Sequence, residues 1–297
     1  PSTGAPIDAF PSEQRLWVFD QAARTITTFI VPGVVAAAFY EDEFRAYAVG
    51  KGDINSGSIS GHVPNEGNLA VFSPVLTLVK QTVPITGNNV FKDVTSLASG
   101  PFVYLANSGG LQVIATCNNA QQGVTPPTNS STIQFVGGSK NSNTIIAMDA
   151  TGLDVETVTT SAPAAPFAIT PANCQENVSY SNQFFDFGLG AITARQLLVG
   201  SNGQHVVVLP AGINKILATV PVVGGTTSSI VLPAGATEAL SGSMTPDSNT
   251  MWTGVAGTNS VDRINLLANT DDIQLPMTFK KSDGSAAPPN IIAIKPK

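Results

Sequence analysis

The feature of this sequence that most narrows its fold is a recurring interval. Leu197, in Leu197-Leu198-Val199-Gly200, stands ten residues before Val207, in His205-Val206-Val207-Val208-Leu209. Met251, in Met251-Trp252-Thr253-Gly254-Val255, stands ten before Val261, in Ser260-Val261-Asp262-Arg263-Ile264-Asn265, and Val103 stands ten before Val113. Each run is short, rich in Val, Ile, Thr and aromatics, and bounded by Gly, Asn, Ser, Asp or Pro. Such runs read as β-strands joined by tight turns, and no helical period competes with them. The same interval in three places marks a repeated supersecondary unit.

The fullest copy covers 239–276, with strands expected at 239–244, 251–255, 260–265 and 272–276. In the copy before it, 197–200 reads as the second strand, 205–209 as the third and 216–221 as the fourth. Weaker copies place strands at 45–49, 69–72 and 78–84, and at 132–136, 145–148 and 155–158. The N-terminal part supplies half a unit, 16–20 and 25–31, and 290–294 supplies an orphan strand. Joining these two would clasp a ring and remove exposed sheet edges. The expected fold is all-β, a β-propeller of six or seven four-stranded blades closed by the N- and C-terminal strands. It would form one domain over 1–297, with 1–10 as an extended leader. Six units can be counted, and a seventh is sought in 160–190, around Phe167-Ala168-Ile169 and Phe184-Phe185-Asp186-Phe187. Composition agrees, because charged residues make up only 11% of the chain. Exposed helix faces would need far more Glu, Lys and Arg.

The last repeats also carry a resemblance. The stretch from Met244-Thr245-Pro246-Asp247, through Asn259-Ser260-Val261-Asp262-Arg263-Ile264-Asn265, to Ile273-Gln274-Leu275-Pro276 resembles the YVTN-type propeller repeat. Ala218-Thr219-Val220-Pro221-Val222-Val223-Gly224 is similar to the closing strand of that repeat. Two slots depart from it: the YVTN strand reads Met251-Trp252-Thr253-Gly254, and the turn reads Pro246-Asp247-Ser248. The resemblance implies the propeller fold. Its family includes surface proteins, carriers and lactonase-like enzymes, so it leaves the activity open.

The search for chemistry returns little. The net charge of -6 and the lack of any basic patch exclude nucleic-acid binding. No run of about 20 apolar residues is present, so no transmembrane helix is expected. Nucleophile elbows, zinc-protease, Walker and Rossmann motifs are absent. The two histidines, His62 and His205, are 143 positions apart. His205 reads as a strand-end or surface residue. Asp20, Asp149, Asp186 and Asp262 are candidate carboxylates that read as turn caps at strand ends. Asp53-Ile54-Asn55 resembles part of a calcium loop but lacks the bidentate acid. No catalytic residue, metal site or cofactor is therefore expected.

Two features remain. Cys117 and Cys174 lie in Asn/Gln-rich surroundings and are expected to form a disulfide, which implies an oxidising compartment. The connection 50–68 is several times longer than its counterparts and holds Asp53, His62 and Glu66, the expected ligand-binding loop. The polar, Pro/Gly-rich start at Pro1-Ser2-Thr3-Gly4 fits a chain trimmed after export, periplasmic or at the cell surface, with a lipid anchor on a removed segment as one form. The expected role is a non-enzymatic binding or scaffold module of the bacterial envelope, with a protein, peptide or glycan partner. A lactonase- or cyclase-like hydrolase using the central channel is the rival, and a structural surface protein is a third reading.

Overall fold

Tight turns between apolar runs favour antiparallel neighbours, and within each sheet every strand pairs with the next strand in the chain. The computed structural model describes residues 15–20, 23–30, 34–39, 46–50, 68–72, 78–80, 91–96, 102–116, 119–138, 143–161, 177–201, 203–221 and 225–292. A two-stranded sheet comes first, β1 (Arg15–Asp20) and β2 (Thr25–Ile30). Five four-stranded sheets follow in chain order. They are β3 (Val34–Phe39), β4 (Ala46–Gly50), β5 (Asn68–Phe72) and β6 (Leu78–Lys80); β7 (Phe91–Ser96), β8 (Phe102–Asn107), β9 (Gly110–Ala115) and β10 (Ala120–Gln121); β11 (Phe135–Gly138), β12 (Thr144–Met148), β13 (Gly152–Ser161) and β14 (Asn177–Asp186); β15 (Ala194–Val199), β16 (Val206–Pro210), β17 (Lys215–Thr219) and β18 (Thr227–Val231); and β19 (Glu238–Met244), β20 (Thr250–Ala256), β21 (Ser260–Asn265) and β22 (Thr270–Pro276). This all-β set of meanders fits a propeller-like fold.

The chain divides into two compact units, Pro1–Val136 with Thr160–Ser179, and Gly137–Thr159 with Tyr180–Lys297. In the first, Tyr47, Leu69, Phe91, Val103, Leu105 and Ile114 share one buried cluster. In the second, Val207, Ile216, Ala239, Met251, Val255 and Ile264 share another. Burial follows strand position. All six residues of β8 and all five of β16 are buried, as strands covered on both faces must be. The outer strand β22 has no fully buried residue, and β21 beside it alternates buried and half-buried positions.

The first strand of four sheets carries the same irregularity. Pairing with the second strand skips Val35 in β3, Lys92 in β7 and Arg195 in β15, each the residue after the first paired one, and Leu240 in β19, the residue after the second. Such a bulge re-aims the next side chain. In β7 that side chain is Asp93, whose carboxylate accepts the Val136 amide of β11 at 3.1 Å. In β15 it is Gln196, which accepts the Gly242 amide of β19 at 2.9 Å and donates to the Gly242 carbonyl at 3.3 Å. The bulged Arg195 itself forms a two-pronged ion pair with Glu238, both contacts at 2.7 Å. Bulge and polar clamp together tie one sheet's first strand to the next. Truncating the clamp, Gln196→Ala, is expected to cost about 1–2 kcal/mol in a denaturant titration. Gln196→Glu should cost at least as much, because it removes the donor.

The repeats sit differently in places from the sequence reading. Leu197-Leu198-Val199 belongs to the first strand of its sheet, β15, and 206–209 to the second. The fourth strand of that sheet is β18, which lies beyond 216–221. Phe184-Phe185-Asp186 closes β14 as the outer strand of an existing sheet and belongs to no further unit. At the C-terminal end, 290–292 forms no strand, and 293–297 lies outside the described residues.

Candidate functional site

Asp53, His62 and Glu66 lie outside the described residues, as do Cys117 and Cys174. What the structure describes of the long connection is its base. β4 and β5 pair up to their ends, Val49 against Leu69 and Gly50 against Asn68. Val49 and Leu69 are fully buried, so the excursion 51–67 leaves from a rigid pair of strands. In the other four-stranded sheets the corresponding connections are 108–109, 149–151, 211–214 and 257–259. These short links are held by local bonds. Asn107 Oδ1 accepts the Gly109 amide, and Asp149 Oδ1 accepts the amides of Thr151 and Gly152 at 2.5 and 2.8 Å.

The other candidate carboxylates divide in two. Asp149 caps a turn as expected, and Asp186 accepts the Gly188 amide at 2.6 Å. Asp262 departs from expectation: it lies in the middle of β21 and is 0% exposed. A bulge at Arg263/Ile264 sets Asp271 of β22 opposite Ile264, on the face that carries Asp262. Asp262 Oδ1 and Oδ2 and Asp271 Oδ2 are buried and accept no hydrogen bond from an N–H or O–H donor. Their neighbours keep their donors elsewhere. Thr253, paired with Asp262 across β20, donates to the Ser241 carbonyl at 2.8 Å. Gln274, paired with it across β22, donates to Ser260 Oγ at 3.3 Å. Arg263 is spent on Asp272, two contacts at 2.9 Å. Burial, and then the charge of Asp262, push the Asp271 carboxyl up to about 7.

Asp271 also lines a cleft of about 430 Å³, with Ile230 and Val231 of β18 on one side and Thr270, Asp271 and Gln274 of β22 on the other. Asp271 therefore has a route to solvent, and Asp262 lies behind it, fully buried.

A second acidic pair lies deeper. Asp154 and Glu156 share one face of β13 and are both 0% exposed. The Asn182 amide of β14 donates to Asp154 Oδ1 at 2.9 Å and to Glu156 Oε1 at 2.7 Å. Burial lifts the Glu156 carboxyl to about 7, Asn182 opposes the rise, and Asp154 adds to it. His205 stands just before β16, where the strand-end reading put it, but it is buried, not at the surface. Burial lowers its pKa against a hydrogen bond to the Ser248 backbone. Among the described residues no three of His, Cys, Asp or Glu converge as a metal-binding group.

Sequence reasoning passed over Asp154, Glu156 and Asp271 as site residues. The available signal was position: acids at alternate places inside an apolar strand, where a charge is costly unless it has work to do.

No protein-family model matches the chain, and no curated protein matches it. Solved structures do. A structure titled Kuenenia stuttgartiensis Hydrazine Synthase aligns with a TM-score of 0.57 at 14% identity, over 85% of this chain and 71% of that one. A functionally unknown protein from Desulfotomaculum acetoxidans DSM 771 aligns with a TM-score of 0.60 at 13% identity, over 88% and 75%. The likeness is one of fold. At such identities it agrees with a propeller-like architecture and carries no activity across.

Proposed function

We propose that this chain is an exported propeller of YVTN-type repeats that acts as a binding or scaffold module at the cell envelope. In this reading the ring closes between the β1–β2 pair and the C-terminal segment, and the excursion 51–67 engages a protein, peptide or glycan partner. The observation that carries the binding role is the contrast among equivalent connections. Four sheets join their second and third strands through 108–109, 149–151, 211–214 and 257–259, and one spends 51–67 on the same task. A long loop on a rigid base costs a scaffold little and gives it a recognition surface. Asp53, His62 and Glu66 would supply the polar contacts. The Asn/Gln-rich settings of Cys117 and Cys174 support an oxidising compartment.

Replacing 51–67 by Asn-Gly between Gly50 and Asn68 tests this. The pair Gly50 and Asn68 already sits in register for a two-residue turn. The shortened chain should keep its melting temperature to within about 3 °C, since closing a shorter loop changes stability only slightly. Full chain and shortened chain are then compared on peptide and glycan arrays. Binding that disappears with the loop supports the assignment. Binding that survives unchanged removes it.

A further inference from the structure

We propose that Asp262 and Asp271 form a low-affinity site for a hard divalent cation of the Ca²⁺ type, reached through the cleft between β18 and β22. Three buried carboxylate oxygens meet there, and none accepts a hydrogen bond from an N–H or O–H donor. Buried carboxylates of native proteins are paired, hydrogen-bonded or bound to a metal. No neighbour outside the pair supplies either of the first two, so only a proton shared within the pair competes with a cation. Arg263 is turned to Asp272, Thr253 to the Ser241 carbonyl and Gln274 to Ser260. Asp262 is 0% exposed, so water does not solvate it either.

The donor set chooses the ion. Among the described residues no third His, Cys, Asp or Glu joins this pair, which argues against zinc or another nitrogen- and sulfur-seeking metal. Two carboxylates beside a cleft lined by a hydroxyl and a side-chain amide are the oxygen-only surroundings that Ca²⁺ accepts, with irregular geometry. Thr270 and Gln274 line the cleft beside Asp271 and supply such neutral oxygens. The competing neutraliser is one proton shared by the pair, which the raised Asp271 carboxyl makes available near neutral pH.

The test uses the full chain stripped with chelator, at constant ionic strength, with CaCl₂ as the probe in calorimetry and thermal melts. At about pH 8 a dissociation constant of roughly 0.1–1 mM is expected, the range of sites with few charged ligands. Proton competition should weaken it about tenfold at about pH 6. Asp271→Asn should abolish the Ca²⁺ response and raise the metal-free melting temperature at about pH 8, because it removes one of two like charges. Asp262→Asn should do the same, and Asp271→Asn, at the less buried position, decides the matter if the Asp262 variant does not fold. Absence of heat and of a melting shift up to about 10 mM Ca²⁺ leaves the shared proton as the only neutraliser and overturns the site. An undiminished response in Asp271→Asn overturns it as well.

Discussion

In chelator-containing buffer, the chain should melt at a higher temperature at pH 5 than at pH 8. Three carboxyls are held above their ordinary values in the folded state: Asp93 at about 6, and Glu156 and Asp271 at about 7. The first cause in each case is burial. A carboxyl whose folded pKa is raised takes its proton more readily folded than unfolded. The stability it contributes is complete below the unfolded value, near 4, and is lost as pH climbs through 6 to 7. His205 opposes this. Its folded pKa is lowered, so acid favours the unfolded chain as pH falls below the ordinary histidine value of 6.5. At the acid end, Glu238, Asp247, Asp272 and Asp283 have lowered values, and their contribution disappears as pH falls through the carboxylate range. The optimum should therefore lie near pH 5.

The size follows from the same groups. A carboxyl moved from 4.5 to about 7 is worth about 3 kcal/mol at full weight. Solvent screening at the half-exposed Asp271 and the opposing His205 reduce the total. A net gain of about 3 kcal/mol from pH 8 to pH 5 remains, or roughly 5 °C for a chain of this size. Glu156→Gln locates the main source. It keeps an acceptor for Asn182 and removes the buried charge, so it should raise the melting temperature at pH 8 and flatten the profile. A flat or inverted profile in the parent chain would mean that these acids stay ionised in the fold.

How much of this could be read beforehand depended on local chemistry. The sheet β19–β22 was legible strand by strand because its turns are written in residues that tolerate left-handed backbone. Ser248, Gly257 and Asn259 all have positive φ, at 58°, 90° and 51°. In the sheet β15–β18 the ten-residue interval misled. It is the period of any tight hairpin, so it cannot tell a first–second pair from a second–third pair. β18, Thr-Ser-Ser-Ile-Val, is a polar outer strand and gave no apolar signal. The first strands β3 and β7 escaped for another reason: a bulge at the second residue breaks the alternation that marks a strand. The acidic pair was half visible. Asp262 was noticed but taken for a turn cap. Asp271 follows Asn269-Thr270 and reads as turn, and only the bulge in pairing brings it to the same face.

The second large effect comes from a glycine inside a strand. Gly254 lies inside β20, paired with Ser241 and Val261. A Cβ there would collide with the Pro289 carbonyl and come within 3.3 Å of the Pro289 ring. The segment around Pro289 is placed by a small hairpin. Lys280 bridges Ala286, the Lys281 amide donates to Ser285, and the Ala287 amide donates to Phe279 at 2.8 Å. The missing side chain is thus a seat for the chain's own C-terminal segment. Gly254→Val should destabilise by about 3 kcal/mol, as overpacking against backbone does. It should also raise hydrogen exchange at 285–292 while β20 and β21 stay protected. A double-mutant cycle isolates the cause. Ending the chain after Ala287 removes the obstacle, so adding Gly254→Val to the shortened chain should cost less than about 1 kcal/mol, because the two changes break the same contact. Fully additive costs would show that valine is rejected by β20 itself, and the seat would then have no part in why this position is glycine.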